Sequence, residues 1–242
     1  MLKVHSIESF GTHEGPGIRF VLFLQGCFFK CLYCHNPDTI PNTGWKTMDY
    51  EEIVKQVVQV KPYFGDKGWF TVSGGEPLIQ AKELLPLFKK LKKEWINIAV
   101  DTNWFWRNDD VKNLIPFVDL FLVDIKHINN DWHQKLTWKS NENTLKFVEY
   151  LESVGKPMRI RYVLVSGWTD QEEYIHELGE KYWSYKNIER IEILPYHQLG
   201  VYKWKEMWWK YGLEGIPATK IEQAEEVKLL LEKRFDKVVI RA

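Results

Sequence analysis

From residue 18 to the C-terminus, short apolar runs rich in β-branched residues alternate with longer stretches of helical periodicity. That alternation restricts the fold more than any other property of the chain. Strands are expected at 18–25, 70–73, 97–101, 119–125, 159–165, 191–194 and 237–241. Helices are expected at 49–60, 81–95, 109–116, 141–154, 170–181 and 221–232. The helix over 49–60 carries apolar Ile53, Val54, Val57 and Val58, Pro86 is an awkward interior residue of the next, and Asn141 is suited to cap a third. Strands that alternate with helices imply βα units and a parallel sheet. The fold class is therefore α/β, either an open doubly wound sheet or a partial (β/α)6 barrel. Polar residues favour the barrel, because they recur at or just after one strand end after another. They are the cysteine loop, Gly74-Gly75-Glu76, Asp101-Thr102-Asn103, Asp124 with Lys126, and His197. In a parallel barrel such ends converge on one mouth, where active sites lie. The 242 residues suit a single domain over 1–242.

The only cysteines are Cys27, Cys31 and Cys34, on the loop after the first of these strands. Three thiolates at C-x3-C-x2-C spacing can hold three corners of an iron–sulfur cube. The fourth iron then has no protein ligand, which is an open position for a substrate. The same residues allow other uses. A disulfide would leave one thiol over, a structural zinc would need His35 or His13 as a fourth ligand, and the thiols could be inert or a redox switch. The cluster with an open iron is the favoured reading. Gly74 and Gly75 let a ligand approach the backbone, or simply make a tight turn. Asp101 and Asp124 could bind a cation or a ribose, or cap helices. Lys126 could bind a carboxylate or stand at the surface, and His197 could serve a ligand or the structure.

Lys+Arg and Asp+Glu are both 33, and no basic stripe stands out, so no nucleic-acid partner is expected. No apolar run reaches the roughly 18 residues of a membrane helix, so no membrane partner is expected either. The first residues are not a secretory signal, and free cysteines point to the cytoplasm.

The motifs also stand in an order that resembles the pyruvate formate-lyase-activating enzymes, a family of radical S-adenosylmethionine (SAM) activases of glycyl-radical enzymes. The resemblance rests on Ser9-Phe10-Gly11-Thr12-His13-Glu14-Gly15-Pro16-Gly17-Ile18-Arg19-Phe20, the cysteine motif with Leu32-Tyr33-Cys34-His35-Asn36, Ser73-Gly74-Gly75-Glu76, Asp101-Thr102-Asn103, Asp124-Ile125-Lys126, Val165-Ser166-Gly167-Trp168-Thr169-Asp170 and Leu194-Pro195-Tyr196-His197. It implies a partial (β/α)6 barrel and a 4Fe–4S cluster on Cys27, Cys31 and Cys34, with SAM chelating the fourth iron. It implies reductive cleavage of SAM to a 5′-deoxyadenosyl radical, which removes a hydrogen from a backbone glycine of a partner enzyme. A flavodoxin or ferredoxin-like protein would donate the electron. By position, Tyr33, Cys34 and His35 would lie against SAM, and Gly75 would meet its methionyl amino group. Asp124, Ile125, Lys126 and His197 would complete the pocket, and Asp101, Thr102 and Asp124 would form a monovalent-cation site. The stretch 35–73 holds no cysteine, which favours the pyruvate formate-lyase type over activases with inserted extra clusters. The competing readings are a radical SAM enzyme acting on a small molecule and a non-catalytic zinc or electron-transfer protein.

One count is abnormal. The chain has 12 Trp beside 15 Gly. The resemblance leads to glycine at Trp45, Trp69, Trp95, Trp104, Trp138 and Trp208, whereas Trp168 and Trp204 match tryptophans of the family. A single cause would cover all six: a source organism that reads UGA as glycine, with the sequence translated as if UGA were tryptophan. The alternative is a protein genuinely rich in tryptophan.

Overall fold

The computed structural model describes residues 1–66, 68–103 and 109–241. These fall into two compact units. The first comprises Met1–Phe28 and Thr39–Leu122, and the second comprises Phe29–Asp38 and Val123–Ala242. The chain is α/β, with a mostly parallel arrangement of strands and flanking helices.

The first unit contains β1 (Leu2–Gly11), β2 (Arg19–Leu24), β3 (Lys46–Met48), α1 (Tyr50–Val60), β4 (Trp69–Gly74), α2 (Ala81–Lys93), β5 (Ile98–Thr102) and α3 (Asp109–Leu114). β6 (Leu120–Asp124) begins in this unit and ends in the second. The strand order is β3-β1-β2-β4-β5-β6. β2, β4 and β5 run parallel, as the alternation predicts. β1 and β3 pair antiparallel at the edge, and the sequence reading did not contain them. β2 is central and its Phe20, Val21, Leu22 and Leu24 are all buried. Burial on both faces explains why it reads as a continuous apolar run. α2 buries Ala81, Leu84, Leu87, Phe88 and Leu91, the spacing of one helix face. Its Pro86 lies on the exposed side of the helix, away from that buried face. α1 buries only Ile53 and Val57, and Val58 lies outside the apolar stripe.

At the start of these strands Arg19 is fully buried. Its guanidinium donates to Thr71 Oγ1 at 2.5 Å, to the carbonyls of Pro16, Gly68 and Phe70 at 3.1, 3.2 and 2.6 Å, and to Asn97 Oδ1 at 3.2 Å. A buried guanidinium is tolerated only when its donors are satisfied in this way. Arg19 thereby fixes the strand ends opposite those that carry the motifs.

The second unit contains the end of β6, α4 (Asn130–Thr137), α5 (Glu142–Ser153), β7 (Met158–Leu164), α6 (Glu172–Tyr182), β8 (Ile188–Pro195), α7 (Val201–Glu206), α8 (Ile221–Glu232) and β9 (Val238–Ile240). β7, β8 and β9 are parallel. Asn141 sits at the start of α5 as expected, but its side chain does not cap the helix. It donates instead to the carbonyls of His127 and Ile128, at 3.1 and 2.6 Å. Among the described residues no helix is long and apolar enough to cross a membrane.

Candidate active site

In the first unit the parallel strands β2, β4 and β5 bring three motifs to the same edge. β2 runs into Gly26 and Cys27, whose amides donate to Thr39 O at 2.7 Å and Ile40 O at 3.2 Å. β4 ends at Gly74, and the next residue, Gly75, packs directly on this turn. A Cβ at Gly75 would lie 2.2 Å from Gly26 O. Glu76 follows and is buried. Its Oε1 accepts from the Leu78 amide at 2.9 Å and the Thr102 hydroxyl at 2.6 Å, and its Oε2 accepts from the Asn103 amide at 2.8 Å. Burial pushes its pKa up to about 7, against the opposing pull of these three donors. Asn103 in turn donates its side-chain amide to Cys27 Sγ at 3.8 Å, and Asp101 accepts from the Ser73 hydroxyl at 2.9 Å. Glu76 therefore ties the Gly-Gly turn to the end of β5, and Asn103 ties that end to the first cysteine. The sequence reading quoted both motifs without assigning a role to Glu76 or Asn103. Trp104, which follows Asn103 in the sequence, lies outside the described residues.

In the second unit the rest of the cysteine loop packs on α4 and α7. The Lys30 and Leu32 amides donate to Thr137 O at 3.0 Å and Leu136 O at 2.9 Å. The Trp204 indole donates to Cys34 O at 2.8 Å, and Lys203 holds Asn36 at 2.8 Å and Asp38 at 3.1 Å. Gly200 lets α7 approach the loop, since a Cβ there would stand 2.6 Å from His35 Cα. His35 Nε2 is 3.1 Å from His197 O, and the two rings are 4.1 Å apart. A carbonyl only accepts, so Nε2 carries the proton in this contact. Asp124 and Lys126 form a half-buried ion pair at 2.9 Å, and the lysine stands 5.8 Å over the Tyr33 ring. Burial alone would lower the lysine's pKa. The Asp124 carboxylate outweighs it and holds the ammonium charged. Ile125 is buried, its amide bonded to Arg161 O at 3.1 Å.

These residues fit a cluster and SAM. None of the three cysteines is in a disulfide. Tyr33 Oη is buried without a hydrogen-bond partner among the described residues, beside the fixed cation of Lys126. The three residues implied as a monovalent-cation site are divided: Asp101 and Thr102 lie in the first unit, Asp124 in the second.

Residues 21–179 match the model of the radical SAM superfamily. The chain is 42% identical over 240 residues to the pyruvate formate-lyase 1-activating enzyme of Escherichia coli K12, covering 98% of each chain. The chain belongs to the pyruvate formate-lyase-activating enzyme family. A second relative in it, from Staphylococcus epidermidis, is 46% identical over 93% of this chain and 94% of its own. The crystal structure of a domain of the pyruvate formate-lyase-activating enzyme from Bacteroides vulgatus superposes with a TM-score of 0.60 at 25% identity, covering 71% of this chain and 98% of that one. Streptococcus suis SuiB bound to its precursor peptide shares the fold at 17% identity, with a TM-score of 0.70 over 98% of this chain and 50% of that one. Pyruvate formate-lyase-activating enzymes are radical SAM enzymes, and their working groups are a 4Fe–4S cluster and SAM.

Proposed function

We propose that this enzyme installs the glycyl radical of a pyruvate formate-lyase-type partner by taking a hydrogen atom from a backbone glycine of that protein. The observation that carries the reading is the match to the E. coli activase, which covers 98% of that enzyme and 98% of this chain. When bound, the cluster and SAM supply the abstracting 5′-deoxyadenosyl radical by one-electron cleavage. The protein's part is to hold and orient. Cys27, Cys31 and Cys34 are the iron ligands. Lys126, kept charged by Asp124, offers a fixed cation to a carboxylate. Tyr33, Cys34, His35, Gly75, Asp124, Ile125 and His197 line the SAM site, and Asp101, Thr102 and Asp124 hold a monovalent cation. A flavodoxin or ferredoxin-like protein supplies the electron, and the free thiols favour the cytoplasm. The whole chain, 1–242, works as one radical SAM domain, and the matched residues 21–179 include parts of both units.

The test is anaerobic reconstitution followed by reduction with SAM and a candidate glycyl-radical partner. Expected are methionine, 5′-deoxyadenosine and the partner's glycyl-radical signal by electron paramagnetic resonance. SAM cleavage with no radical on a partner encoded beside this gene would favour a small-molecule substrate. An iron-replete protein that leaves SAM intact would end the proposal.

A further inference from the structure

Four described residues other than glycine have φ in the left-handed half of conformational space: Trp69 (127°), Trp95 (59°), Trp138 (65°) and Trp208 (58°). All four are tryptophans. A side chain with a Cβ is strained there, a bulky one most of all, and the usual exceptions are Asn, Asp and His. None of the described Asn, Asp or His residues takes such a φ in this chain.

Three of the four close helices in the way glycine does. After α2, the Trp95 amide donates to Lys92 O and the Ile96 amide reaches back to Leu91 O, both at 3.1 Å. After α7, the Trp208 amide donates to Lys205 O at 3.0 Å and the Trp209 amide to Trp204 O at 2.9 Å. Both are Schellman motifs with tryptophan at the left-handed position. After α4, the Trp138 amide bonds Gln134 O at 2.8 Å, the simpler αL closure. The chain supplies its own control. α5 ends in the same Schellman motif, with Gly155 to Glu152 O and Lys156 to Leu151 O at 3.0 Å each, and the left-handed residue there is glycine.

The side chains agree with the backbones. Trp95, Trp138 and Trp208 are 85%, 64% and 94% exposed. Trp204 is 7% exposed and bonded to Cys34 O. The largest apolar side chain normally earns its place by burial. Lys30 over Trp138 at 5.1 Å and Lys61 over Trp69 at 5.4 Å are contacts that a surface lysine makes with any indole in reach. Trp45 is not among the left-handed residues and Trp104 is outside the described ones, so neither bears on the inference.

We propose that positions 69, 95, 138 and 208 are glycine in the protein as its own cells make it, each encoded by UGA read as glycine. Position 138 adjoins residues that hold the cysteine loop. Its neighbours Leu136 and Thr137 hold the amides of Leu32 and Lys30, so strain at 138 is passed to the loop carrying Cys31 and Cys34.

The gene and the native protein test this. The four codons should be UGA, with UGG at Trp204, and peptide mass spectrometry of chain isolated from source cells should find glycine at all four positions. UGG at these codons, or tryptophan in these peptides, overturns the proposal. A chain made with tryptophan at each position should melt at a lower temperature than the form carrying Trp95→Gly, Trp138→Gly and Trp208→Gly. A lower melting temperature for the glycine form also overturns it.

Discussion

Gly75→Ala adds one methyl group where two backbones meet, and its cost follows from the geometry. Gly75 is not among the left-handed glycines, so alanine's difficulty there is one of space alone. The new Cβ would stand 2.2 Å from Gly26 O, 2.7 Å from Gly26 C and 3.1 Å from Thr39 O, where ordinary contact begins near 3.4 Å. None of these atoms is the end of a flexible side chain. The Gly26 carbonyl must therefore retreat, or the Gly75 turn must, by about 1 Å. Both are tethered: the Gly75 amide to Leu24 O at 3.0 Å, the Glu76 amide to Gly26 O at 2.8 Å and the Gly26 amide to Thr39 O at 2.7 Å. Overpacking of this kind costs about 1–3 kcal/mol, and a broken hydrogen bond adds about 1 kcal/mol. The residue displaced is the immediate neighbour of Cys27. A displacement of about 1 Å in a reacting assembly can slow turnover on the order of 100-fold. Thermal melting, iron content and the rate of SAM cleavage measure the three consequences. If Gly75→Ala keeps wild-type melting, iron and turnover, the close approach drawn here is wrong.

Cys31→Ala should fall well short of the about four irons per chain of the parent and cleave no SAM, because two thiolates cannot hold the cube with one iron open; full activity would exclude the ligand assignment. Lys126→Ala and His197→Ala should weaken SAM binding in equilibrium titrations while iron stays near normal, and unchanged affinity in both would remove them from the pocket. The buried carboxyl of Glu76 gives a pH dependence whose sign is fixed. Its pKa is raised from 4.5 to about 7 in the fold, so between these values the unfolded chain ionises while the folded one keeps its proton. Stability should fall as pH rises from about 4.5 to about 7, by at most about 3 kcal/mol, and level off above. Denaturation midpoints of wild type and Glu76→Gln across this range should diverge in that window, and parallel curves would contradict the assignment.

The parallel strands were legible because a strand buried on both faces cannot help but read as an apolar run, as Arg19–Leu24 does. The antiparallel edge was not. β3 is Lys-Thr-Met, a run with no strand signal of its own, and it exists through its pairing with Leu2, Lys3 and Val4. β1 alternates buried and half-buried residues over Leu2–His5, a period of two that is not a continuous apolar run. α4 and α7 are short and polar and bury few side chains, so periodicity had little to work on. The site divides in the same way. Cysteine spacing and motif order are properties of the sequence. The hydrogen bonds from Glu76 to Thr102 and Asn103, and from Asn103 to Cys27, depend on three strand ends meeting in space. The resemblance to the family points to glycine at 69, 95, 138 and 208, and at each of these four the backbone is left-handed, which motif order alone could not show.

Burial pushes the thiol of Cys31 up to about 12, despite the opposing charge of Lys126. At neutral pH this group is held as the thiol, and the thiolate is the form that attacks disulfides, alkylating agents and peroxide. The metal-free loop is thus chemically quiet at its most buried cysteine. On the ligation proposed above, capture of iron expels that proton, so assembly of the cluster should acidify its surroundings and be favoured by alkaline conditions. Reagents that titrate exposed thiols will undercount the cysteines of the iron-free enzyme, and the count should rise to three only on unfolding.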